Sequence, residues 1–291
     1  MTWIAFTFMA AFMQSWRNAF QSKLSAEVKT LGVTLSRFLW ASPIAAVYLF
    51  ILYQTHSVEL PTLNTRFISF VFAAAFMQIL ATALMVQLFK LNNYAVGAGL
   101  AKSEALAAAI LGMLFFGTQL SLLGWVGVLL GGVGVFLLST TSGFKGISFS
   151  TIVLGLCCGS AFALTSLWVR EASLSLDLPF PYNAAWVLWS VITIQTLVLV
   201  GYIFVTDKST LTALWQRPKL TFLTSAASCF GSIGWFSAMS LEAVPYVKTL
   251  GQVEIFFTML ISIFWLKQKV KIKDGFGLLL VAAAAVLVMW T

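Results

Sequence analysis

The sequence predicts an all-α polytopic membrane protein, with ten transmembrane helices arranged as two inverted five-helix repeats. Three observations lead there. Only 9% of the 291 residues are charged and 60% are hydrophobic, whereas a soluble domain carries about 25% charged residues to face water. Apolar runs of the length that crosses a bilayer core of ~30 Å, roughly 20 residues of helix, recur along the chain with polar breaks between them. Finally, residues 91–141 can be laid on 241–291 without a gap, which sets Glu104 on Glu254, and acids inside spans are rare. The mean hydropathy of +0.96 agrees. Strands of a membrane β-barrel would alternate polar and apolar residues, and these runs do not.

Spans are expected near 3–21, 31–53, 67–89, 94–116, 120–140, 149–170, 182–205, 220–240, 244–266 and 275–290. The first, opening "TWIAFTFMAAFMQSW", has no basic leader and no small-x-small cleavage site, so it reads as a retained helix. Pro43 should kink the second. The fourth carries "GLAKSEALAA", with Lys102 and Glu104 in a small, apolar setting. The fifth carries "GWVGVLLGGVGV", where Gly127, Gly131 and Gly134 let another helix approach closely. That face reads as packing within a half in preference to a dimer contact, so the expectation is a monomer or weak homodimer. Pro245 opens the ninth span, a position that tolerates proline, and Lys248 and Glu254 follow it. The tenth is rich in alanine.

The break "STTSGFKGIS" divides the chain into 1–142 and 143–291, two five-helix repeats. An odd number of helices per half forces opposite insertion. Inverted repeats of this kind mark secondary transporters, with the substrate site near the midplane between the halves.

The net charge of +8 is distributed by loop. Eleven basic residues (Lys23, Lys29, Lys90, Lys145, Lys208, Arg217, Lys219, Lys267, Lys269, Lys271 and Lys273) fall in alternate breaks; Arg66 and Arg170 fall on the other side. Basic short loops face the cytoplasm, which puts both termini outside and makes the basic runs neighbours of anionic lipid rather than a nucleic-acid surface. One histidine, His56, and three cysteines in apolar segments (Cys157, Cys158, Cys229) offer neither a metal site nor a disulfide framework. No cofactor is implied. Without a metal motif, a nucleophile with its base or an ATP-binding loop, the chain does not read as an enzyme, and transport would draw on gradients.

Six ionisable side chains fall inside spans: Arg17, Arg37, Lys102, Glu104, Lys248 and Glu254. Each costs ~2.5–3.5 kcal/mol at a span centre even on the lenient insertion scale, so they should face one another or a wet cavity. Lys102 and Glu104 are two apart on one helix, about 200° round its axis, and cannot pair. Lys102 is therefore expected to approach Glu254, and Lys248 to approach Glu104, around a central cavity. The competing reading makes both Glu permanent anchors between the halves, with Arg17, Arg37 and Lys248 snorkelling to head groups. Asn18 and Gln252 are candidate hydrogen-bond donors. Trp16, Trp168, Tyr94, Trp40, Trp186, Trp189, Trp235 and Tyr246 are candidate walls.

Several segments resemble the drug/metabolite transporter (DMT) superfamily, in particular its EamA-type members. They are "VTLSRFLWASP" (33–43), "LFKLNNYAVGAGLA" (88–101), "FSAMSLEAVPYVKTL" (236–250), "WRNAFQSK" (16–23) and "FALTSLWVR" (162–170). The chain departs from that pattern at "GTQLS" (117–121) and "KQKVK" (267–271), where the family has a Gly-Glu-Arg-like turn, and at Ala105 and Ile255, where proline is common. The resemblance implies a ten-helix transporter of small molecules, and its members often keep both termini in the cytoplasm, opposite to the charge count. The expected function is secondary active transport by alternating access in a bacterial inner membrane, in the export direction. The cargo would be a small polar or zwitterionic metabolite, amino-acid-like or a small organic anion, with proton or ion coupling. The alternatives are broad drug efflux and a non-transporting membrane subunit.

Overall fold

The computed structural model describes residues 1–55, 58–91, 101–141, 149–265 and 275–290. Among these the protein is all-helical, with no strand. The helices are α1 (Thr2–Ser25), α2 (Thr30–Ser36), α3 (Ala41–Thr55), α4 (Thr65–Leu91), α5 (Glu104–Phe116), α6 (Leu122–Thr141) and α7 (Phe149–Leu174). They continue as α8 (Tyr182–Thr206), α9 (Lys208–Trp215), α10 (Pro218–Leu241), α11 (Val244–Leu250), α12 (Glu254–Phe264) and α13 (Gly275–Met289). Among the described residues, four helices are long and apolar enough to cross a membrane: Thr30–Thr55 taken across its break, α4, α7 and α8. Large apolar side chains such as Phe50, Phe115, Leu122 and Val205 are exposed on the outside. Water would penalise so much apolar surface; lipid does not. This is a membrane protein.

Two expected spans are interrupted. The second breaks at residues 37–40, one turn before Pro43. Proline lacks the N–H that would reach the carbonyl four residues back and its ring crowds that carbonyl, so Ala41 and Ser42 both turn their N–H to Phe38 O instead (3.0 and 3.2 Å). The ninth ends as α11 at Leu250, passes through a 3-10 turn at Gly251–Val253, and restarts as α12 at Glu254. Pro245 does lie in the first turn of α11. The fourth expected span is described from residue 101, and its helix α5 begins at Glu104 after a turn at Lys102 and Ser103. Gly117 ends α5 in the left-handed region (φ 62°), and Thr118 N–H reaches back to Gly112 O at 3.1 Å, a closure that favours glycine.

Helices do not attract one another hydrophobically in lipid, so close packing depends on small residues. α1 runs along α10, α4 along α7, α6 along α13; α3 lies against α8, and α5 against α7 and α11. A Cβ at Gly234 of α10 would stand 2.6 Å from Phe6 O of α1. The glycine face of α6 is used inside the chain: a Cβ at Gly134 would stand 2.9 Å from Gly277 O, and one at Gly127 2.7 Å from the Val288 side chain. This contact joins residues of the two halves, where packing within one half was expected.

Opposite ends of the bundle carry different ions. At the end of α4, Lys90 Nζ donates to Val28 O (3.1 Å), Lys29 pairs with Asp207 (2.6 Å) and Arg217 with Glu27. At its start, Arg66 pairs with Glu171 (2.9 Å) and Asn64 donates to Ser175 O (2.7 Å). Arg170, expected in a break, lies inside α7 and donates to Met239 O (2.7 Å) and Glu242 O, closing the carbonyl end of α10. The short helix α9 was not expected, because eight residues with a polar face do not form a span. Asp207 anchors its start: Lys29, Ser209 and Thr210 all donate to its carboxylate.

Gly234→Leu should force α1 and α10 apart and destabilise the fold by about 1–3 kcal/mol, read as a lower unfolding midpoint in detergent. The donors around Asp207 hold its carboxyl below the usual carboxylate range. Its contribution is therefore present above the unfolded value of ~3.9 and lost as pH falls through the lower folded value. Asp207→Asn should lower the midpoint at pH 7, with the difference from the native chain shrinking as pH falls below ~4.

Candidate functional site

Residues on one helix face recur at i, i+3, i+4 and i+7, and three helices turn such a stripe to one central point. α1 presents Gln14, Arg17 and Asn18; α7 presents Phe162, Thr165, Ser166 and Val169; α10 presents Ser232, Trp235, Phe236 and Met239. Gln78 of α4 completes the wall. The charged groups come from the interruptions. Arg37 stands in the break between α2 and α3, Lys102 just before α5, and Lys248 near the end of α11; Glu104 and Glu254 are the first residues of α5 and α12. A carboxylate at a helix start is favoured by the unpaired N–H groups there, by about 0.3–1 kcal/mol and more when partly buried.

Both expected cross pairs form. Lys102 binds Glu254 Oε2, and Lys248 Nζ lies 2.6 Å from Glu104 Oε1. Glu254 also accepts from Asn18 Nδ2 (2.8 Å) and from Gln14 Nε2, and Glu104 Oε1 accepts from Ser166 (3.2 Å). Gln14 Oε1 takes the indole N–H of Trp235 (2.8 Å), whose ring lies 4.2 Å from Lys248 Nζ, close enough for a cation–π attraction. Arg17 donates from Nε and Nη2 to Asn18 Oδ1 (3.1 and 2.7 Å). The two ion pairs are thus stitched into one network across α1, α5, α7, α10, α11 and α12. Removing one member of a buried pair leaves the other charge uncompensated, which costs about 3–5 kcal/mol.

These groups surround a cavity of about 30 Å³, room for a water or two and far below the ~300–1,000 Å³ of a small-molecule site. Among the described residues, no three His, Cys, Asp or Glu side chains gather as a metal site.

Eight sequence candidates meet at this cavity: Arg17, Asn18, Arg37, Lys102, Glu104, Trp235, Lys248 and Glu254. Trp16 packs instead on Phe20 and Trp265 (5.7 and 5.8 Å), and Trp168 on the apolar core. Gln252 is buried opposite Gly131 of α6, away from the cavity wall. Tyr94 lies outside the described residues. Of the other aromatic candidates, Trp235 lines the cavity; Trp40 packs on Phe222, Trp186 donates to Tyr53 and packs on Trp189, and Tyr246 accepts from Ser121 N–H. Gln14, Gln78, Phe162 and Ser166 were not picked out from the sequence. Gln14 had a usable signal, since it precedes Asn18 by four residues on the same face.

No family model matches the chain, and no curated protein does. Among solved structures 28 chains match. One, a crystal structure of a protein, is similar at TM-score 0.73 and 13% identity over 98% of each chain. At that identity the likeness shows the fold alone.

A double-mutant cycle checks the pair. Lys102→Met and Glu254→Gln should each lower the unfolding midpoint in detergent, by about 3–5 kcal/mol of stability, and the double variant should recover a large part of either loss.

Proposed function

We propose that the protein is a secondary active transporter of a small polar or zwitterionic metabolite, of the EamA type within the DMT superfamily. In this reading its helices make ten spans of a bacterial inner membrane in two inverted repeats, and it exports by alternating access. The observation that carries the proposal is the crossed pairing of Lys102 with Glu254 and Lys248 with Glu104 at a central cavity. Each pair joins one half of the chain to the other, and intramembrane ions facing a cavity mark transport pathways.

Two further features support it. Exchanging each expected span with the one five places on turns the α1–α10 contact into the α7–α4 contact and leaves α3–α8, α5–α11 and α6–α13 unchanged. A two-fold relation between halves has that property. Discontinuous helices near the cavity, here at residues 37–40, before Glu104 and at Gly251–Val253, are also how transporters of this architecture expose backbone and helix ends to cargo.

Counterflow into liposomes reconstituted with the full chain, run over a panel of labelled metabolites, tests the reading. At least one solute should accumulate, and Glu254→Gln, at normal expression, should abolish or uncouple that accumulation. A protein that accumulates none of them is not a transporter of this kind.

A further inference from the structure

Among the described residues the cavity wall holds four cations and two carboxylates. Each carboxylate carries a lysine, and Arg17 lies on Asn18 with two donors. Arg37 differs. It is only 2% exposed, yet among the described residues its one side-chain hydrogen bond runs from Nη1 to Thr82 Oγ1 (2.8 Å), and its Nε–H finds no acceptor. The rings of Phe38 and Phe162 lie 5.3 and 5.8 Å from its central carbon. Aromatic faces steady a guanidinium but accept nothing from the N–H groups along its edge. The result is a buried cation at the cavity with an unpartnered N–H donor.

We infer that Arg37 is the anchor for a carboxylate of the solute, a conclusion that rests on the transporter reading for its biological meaning. The planar fork of a guanidinium offers two parallel N–H donors that match the two oxygens of a carboxylate, and the surplus positive charge of the wall calls for an anion. The apolar flank of Phe38, Phe162 and Phe236 favours a carboxylate over a phosphate, because a doubly charged group loses far more hydration on entering such surroundings. Arg37 is thereby a specificity-determining residue: solutes that present an acid group are admitted, and their amides are not.

The test uses the full chain in detergent at fixed ionic strength. Thermal unfolding is followed with acetate and succinate, with acetamide and succinamide as neutral counterparts, and with inorganic phosphate. The acids should raise the midpoint; the amides and phosphate should not. Arg37→Gln should weaken the apparent affinity for the acids at least ~10-fold, the loss expected for hydrogen bonds to a charged group, and the ligand-free variant should be as stable as the native chain or more so. Arg37→Lys, which keeps the charge without the fork, should fall between. The inference is overturned if ligand-free Arg37→Gln is less stable, since the arginine is then a structural support. An undiminished acid response in that variant, an equal response to amides or phosphate, or no response of the native chain to either acid also overturns it. Counterflow separates the two layers. Transport of a neutral solute unaffected by Arg37→Gln removes the anchor and keeps the transporter; the binding pattern above with no counterflow does the reverse.

Discussion

A charge within hydrocarbon must find its counter-charge on another helix. That constraint organises the centre of this protein. Lys102 cannot turn to Glu104, two residues away, so it crosses to Glu254, and Glu104 crosses to Lys248 in return. Because the partners stand 152 residues apart in one case, satisfying them fixes the first part of the chain against the last. Irregular backbone such as the breaks in α2–α3 and α11–α12 is tolerated in a membrane protein's interior only when buried in protein or beside a wet cavity.

The two carboxylates occupy matching places at the starts of α5 and α12, yet their surroundings differ. Glu254 is 1% exposed and takes donors on both oxygens, from Lys102, Gln14 and Asn18. Glu104 receives Lys248 and Ser166 on a single oxygen. The matching position of the two acids therefore does not extend to their bonding. Among the described residues Glu254 thus has three side-chain donors and Glu104 has two.

Much of this was legible in the sequence for one reason: ions in apolar runs are rare, so each announces itself and its need for a partner. The limits of legibility are equally physical. Trp16 lies two positions from the lining residues Gln14 and Asn18 of α1. Two helical steps turn a side chain through about 200°, so proximity in sequence pointed to the wrong face. Gln14, Gln78 and Ser166 are uncharged, and a single amide or hydroxyl in a span has no electrostatic signature strong enough to stand out. Pro43 flagged a distortion, but its effect lands a turn earlier because the missing hydrogen bond belongs to a carbonyl upstream. The amphipathic α9 escaped because a search for spans passes over eight-residue helices.

The separation of Lys102 from Glu254 also has a consequence during synthesis. At the usual ~5–20 residues per second, the ribosome reaches Glu254 about 8–30 s after it has made Lys102. For that interval the ammonium is in a growing chain that does not yet contain its eventual carboxylate. Until then the charged head of Lys102 needs water or lipid head groups for company, so the rate of translation bears on the assembly of the finished bundle.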